Sequence, residues 1–117
     1  MNSDFALMRQ ALEAFHPLLA EHPQEFSPEV RAEAPALIAD AMERLRLRKD
    51  LTVDEYRIVF FSLSYSAEVL AQQLRSPLYS PSARGEMMLR HSELLRVMGN
   101  IRSMLDSAGF PIRFPST

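Results

Sequence analysis

The side chains best able to do chemistry in this chain are few and scattered. The histidines are His16, His22 and His91. His22 and Glu25 flank Pro23-Gln24, and a histidine near a carboxylate is how many metal sites begin. No further ligand comes after them at a metal-binding spacing, and the H-E-x-x-H pattern is absent. His91 stands two residues before Glu93, among apolar residues at helical spacing, and reads as a polar interruption that fixes register. Asp54 and Glu55 are adjacent carboxylates, but both sit at a helix start, where the dipole favours acids and Glu55 has a capping role. No G-x-S-x-G and no phosphate-cradling glycine loop occurs. With no cysteine there is neither a thiolate nucleophile nor a thiolate ligand. The pattern implies no catalytic residues, no cofactor and no metal.

The run RLRLRK, Arg44 to Lys49, is the dense basic segment. A DNA-binding protein could set such a run against phosphates. Here it closes a helix, where the dipole already favours cations, and at helical steps it does not make one clean face. A net charge of −2 gives no reason to expect nucleic acid or an acidic membrane as partner. No window reaches the roughly 18 apolar residues of a membrane span. MNSDFALMRQ has an acid where a secretory signal would be basic and then apolar. The expectation is a cytoplasmic protein that touches neither membrane nor nucleic acid directly. At 117 residues, 47% apolar and 24% charged, residues 1–117 should form one domain around one core.

The elements that must position these residues are helices. Only three glycines occur, no run alternates convincingly, and the prolines fall mostly between helical patterns. A first helix starts after Ser3 as N-cap and carries Phe5, Met8, Leu12, Phe15 and Leu19, with Pro17 expected to kink or end it. EHPQEFSPE is a connector ending in Ser27-Pro28, a cap followed by proline at the first helical position. Pro35 is expected to divide the next segment into a short turn and a helix with Leu37, Ile38, Ala41 and Leu45 on its apolar face. Residues 1–50 are therefore read as shorter, proline-interrupted helices.

Residues 52–110 read more regularly. Thr52 and Glu55 form a capping box, with Leu51 and Tyr56 in the positions of a hydrophobic staple. The helix they start should reach about Arg75. Its seam is Tyr56, Phe60, Leu63, Ala67, Leu70 and Leu74. After SPLYSPS the spacing repeats at Met87, His91, Leu94, Met98, Ile101 and Leu105, before Gly109, Phe110 and Pro111 end the last helix. Matched seams and a short link predict a long antiparallel hairpin.

A second stripe remains on the 53–75 helix. With Tyr56 at zero, Ile58, Phe61, Tyr65 and Val69 cluster at about 140–220°, opposite the seam. Burying four such residues is worth roughly 6–10 kcal/mol. Either the first helices cover them and complete a four-helix core, or another chain does. The broken look of the first helices and the seven methionines and seven phenylalanines favour another chain. Ile58, Phe61, Tyr65 and Val69 are thus the expected protein interface, with Arg57 and Glu68 near its edge.

SELLRVMGNIRSMLDSAGFP, with an apolar seam and then Gly109-Phe110 beside a proline, resembles the C-terminal helix of the TraM-like quorum-sensing anti-activators. TVDEYRIVFFSLSYSAEVLAQQL stands where that family has its other long helix, so the resemblance spans roughly residues 52 to 112. It implies an all-helical homodimer that binds the ligand-binding domain of a LuxR-type transcription regulator, such as LasR. Binding would block the regulator's dimerisation and so its hold on DNA. The other function compatible with the residues is a small dimeric chaperone or adaptor for a secreted or phage protein.

Overall fold

A computed structural model describes residues 2–112, without the side chains of Asn2, Ser3 and Pro23. Its elements are α1 (Asn2–Glu21), a single 3-10 turn (Pro23–Glu25), α2 (Pro28–Arg46), α3 (Val53–Leu74) and α4 (Pro81–Ser107). Among the described residues there is no strand, and the fold is an all-helical bundle.

α3 is the axis of the bundle, packing against α1, α2 and α4. Its start is fixed by the predicted capping box: Thr52 Oγ1 accepts from the Glu55 amide at 3.2 Å, and Glu55 accepts from the Thr52 amide at 3.0 Å. Glu55 is buried and also meets Arg44 at 3.0 Å, which ties the end of α2 to the start of α3. Against α4 it buries Phe60, Leu63 and Ala67 beside Leu94, Ile101 and Leu105. Arg102 on α4 lies 5.2 Å over the Phe60 ring, and Arg57 donates to the Pro111 carbonyl at 3.3 Å.

The link 75–80 closes neatly. Arg84 donates to the carbonyls of Leu74 and Ser76, groups a helix end leaves unpaired, while Ser80 accepts from the Ala83 amide and opens α4. α4 ends at Gly109 (φ 84°), with the Phe110 amide reaching back to the Leu105 carbonyl at 2.8 Å. The Phe110 ring stays 43% exposed, so this cap rests on its backbone bonds more than on the ring.

Residues 1–50 correct the sequence-based expectation. α1 runs through Pro17, and α2 runs from Pro28 through Pro35 without dividing. Glu13 and Arg31, whose carbonyls lose a donor to these prolines, are exposed, so water can replace the missing bonds. Meanwhile the buried face anchors both helices: Leu12, Phe15 and Leu19 on α1, and Val30, Ala34, Ile38, Ala41 and Leu45 on α2. At about 1.5 Å per residue, α1 is nearly as long as α3 and can roof it. α1 begins at Asn2, so Ser3 lies inside the first turn rather than ahead of it, and any side-chain cap by Ser3 lies outside the described residues. Phe5, expected on the apolar face, is 37% exposed.

Candidate protein-binding surface

The four-residue second stripe of α3 is divided between core and surface. Ile58 is fully buried, within the packing of α1 and α2 against α3. Fully buried residues on α3 stop at Ala67, and the last two turns lie half-open. From the middle of α3 to its end, Phe61, Tyr65 and Val69, four residues apart, stand on one face with Glu68 and Gln72 beside them. Tyr65 is 36% exposed and Val69 half-buried.

α1 and the connector after it complete the surface. The Phe15 ring meets Tyr65 edge-on with centroids 6.2 Å apart, and Phe26 meets Phe15 at 5.6 Å. Phe61 stands edge-on to Phe60 at 5.7 Å. These aromatic contacts enclose a groove of about 420 Å³ lined by Phe15, Phe26, Phe61, Tyr65 and Val69, with Glu25, Glu68 and Gln72 at its rim. Across the Tyr65–Val69 ridge runs a second groove of about 220 Å³, between α1 and α4. Ala11, Ala14, Leu70 and Leu94 line it, and Gln10, Gln73 and Arg90 give it polar edges. An aromatic and aliphatic ridge between two shallow grooves, edged by polar groups, is the form that receives the apolar face of another helix.

Of the six residues expected at an interface, the structure brings Phe61, Tyr65, Glu68 and Val69 together. It takes Ile58 and Arg57 out. The Arg57 side chain is buried, bonded to Asp54 at 3.1 Å and to the Pro111 carbonyl, and so stitches the start of α3 to the chain beyond α4. Phe26, half-buried, forms part of the groove wall with the buried Phe15 ring behind it, and neither was expected at an interface. The signal for Phe26 was a large aromatic between two prolines in an otherwise polar connector.

A second apolar surface lies on the outer side of α4. Met88 and Leu89 are 60% and 64% exposed, and Leu95, one heptad beyond Met88, is half-exposed. Gly85, Ser92 and Gly99, each seven residues apart and exposed, run alongside, and a Cβ placed on either glycine would meet open space. Glycine within an exposed helix costs about 1 kcal/mol relative to alanine, and smallness here lets another backbone approach.

The titrations that the fold moves are all displaced away from neutrality. Hydrogen bonds from Arg96 and Arg46 hold the Asp4 and Glu43 carboxyls below their ordinary range, and the two arginines move up in turn. Burial, then the charge of Asp50, pushes the Tyr56 phenol up. A proton-transfer group works best near the operating pH, and these five are driven from it. His16 and His22 are exposed and His91 is half-buried on α4. Among the described residues, no group of three or more His, Asp and Glu is placed to hold a metal ion, and no helix is long and apolar enough to cross a membrane. No protein-family model matches this chain, and neither a curated protein nor a solved structure matches it.

Proposed function

We propose that this protein is a cytoplasmic anti-activator of quorum sensing that captures a transcription regulator through the open end of α3. The observation that supports the reading is the Phe61–Tyr65–Val69 ridge, left half-open by a chain that fully buries Ile58 of the same stripe. The partner class comes from the resemblance of residues 52–112 to TraM, and of the whole chain to QslA, the anti-activator of LasR. On this reading α3 and α4 act as an antiparallel hairpin that holds the ridge rigid. An apolar helix of the regulator's ligand-binding domain lies along it and is lost to the regulator's own dimer. Two DNA half-site contacts held together are far stronger than one, so occupying a dimer surface is enough to release DNA. No catalytic group is required.

The free protein is proposed to be a homodimer through the outer side of α4, where the small residues permit close helix approach and Met88, Leu89 and Leu95 supply apolar area. The decisive experiment is a gel shift with a purified LasR-like regulator on its operator. Added protein should abolish the shifted band, with a regulator–protein complex appearing by light scattering in its place. A regulator that keeps its DNA while the protein is in excess would refute the reading. Capture of a secreted or phage protein instead would point to the chaperone or adaptor role.

A further inference from the structure

The basic run at the end of α2 takes no part in the Phe61–Tyr65–Val69 surface. It lies at the opposite end of the α1–α2 pair, where Arg46 and Arg48 converge with Arg9 of α1 around a cavity of about 240 Å³. Phe5 and Ala6 form its α1 side, and the buried Leu45 its floor.

The three guanidinium groups differ in how well they are satisfied. Arg9 meets Glu13 only at 3.8 Å, an exposed pair on its own helix, and Arg46 is held by the exposed Glu43. Arg48 pairs with no carboxylate among the described residues. Its backbone is also unusual, at φ 56°, in the left-handed region where glycine is the ordinary occupant. The conformation is imposed by the end of α2. The Arg48 amide bonds the Leu45 carbonyl at 3.2 Å and the Lys49 amide bonds the Arg44 carbonyl at 2.8 Å. An arginine thus stands where the turn prefers glycine, and it lines a cavity beside two more arginines. The helix dipole favours cations in the last turn of α2, but it does not account for a charged side chain at this backbone angle.

We propose that this cavity is a binding site for a small oxyanion ligand, a compact molecule bearing phosphate or carboxylate. Guanidinium forks match both groups and bind them by paired, charge-assisted hydrogen bonds. The Phe5 ring, partly exposed at the mouth, offers a face to a flat or apolar portion of the same molecule. Glu13 and Glu43 are the opposing charges, and both are surface pairs that an incoming anion can displace. The volume suits a molecule the size of a phosphate ester or a small polycarboxylate rather than a nucleic acid strand.

The test uses the full chain, with calorimetric titration of inorganic pyrophosphate and of citrate at physiological salt, and backbone NMR shifts to place the contact. At least one of the two anions should bind saturably and move the amides of residues 5–9 and 45–49. A preference for one tells phosphate from carboxylate. Arg48→Gly should weaken that binding by about tenfold or more. Its melting temperature should stay level or rise, since glycine suits the turn, so lost binding could not be blamed on lost folding. Arg9→Gln should weaken binding in the same direction. Absence of saturable binding by either anion would overturn the proposal, as would wild-type affinity in both variants.

Discussion

Arg48 and Glu55 show how differently single residues can be read. Arg48 holds a left-handed backbone that costs a non-glycine residue about 1–2 kcal/mol. Replacing it with glycine should raise stability in urea by about 1 kcal/mol, less than the full relief because glycine also loosens the unfolded chain. Unchanged or reduced stability would mean that the turn does not strain the arginine. Glu55 carries two jobs in one carboxylate, closing the capping box and meeting Arg44. Glu55→Ala should cost about 1–3 kcal/mol in the same assay. The cap was legible because T-x-x-E is a local pattern whose geometry is set by four residues. The Arg44 contact was not, since it spans eleven residues and depends on how the 47–51 turn brings two helices together. The strain at Arg48 was equally hidden, because nothing in RLRLRK marks where the helix will stop.

At the scale of elements, the contest is between local backbone preference and burial. Proline inside a helix is about 3 kcal/mol worse than alanine, which is why Pro17 reads as a break. Leu12, Phe15 and Leu19 are each worth about 1.5–3 kcal/mol when buried, and together they outweigh it. α1 therefore continues past Pro17, and the continuation is what carries Leu19 into the core. Pro17→Ala should stabilise the protein by about 1–3 kcal/mol, measured by thermal or urea unfolding, without changing its helix content by much. The sequence could show both terms but not their balance, which depends on α3 being there to bury the face. The outer helices are also tied by charge. Arg96 of α4 grips Asp4 of α1 at 2.8 Å and 3.4 Å, and this bond holds the Asp4 carboxyl below its ordinary range. A depressed carboxylate contributes stability that is present above the unfolded pKa and is lost as pH falls through the folded one. The contribution should therefore be intact at pH 6 and fade below about pH 4. Asp4→Asn should flatten that part of the stability–pH curve, and an unaltered curve would show that the exposed pair contributes nothing.

For the whole molecule, the opposed stripes of α3 were the most informative feature of the sequence. Helical periodicity shows that two faces are apolar, but it cannot show how far along a helix its neighbours reach. α1 and α2 cover the second stripe as far as Ile58 and leave it half-open from Phe61 onward, so one stripe serves both as core and as surface. That division makes mutations along it separable. Ile58→Ala should cost about 2–5 kcal/mol, as a core truncation does, and should affect partner binding only through folding. Val69→Asp puts a charge on the half-open ridge, where water can still reach it, and on the proposed function should leave the fold intact while abolishing capture of a regulator. Leu95→Lys, on the outer side of α4, should do the reverse under the same proposal: the proposed dimer should become a monomer by light scattering, with removal of the regulator from DNA retained. If the two surfaces are independent, Val69→Asp stays dimeric and Leu95→Lys stays inhibitory. Loss of both properties in both variants would instead mean that the ridge and the α4 face form one continuous interface, with the regulator bound only by the assembled dimer.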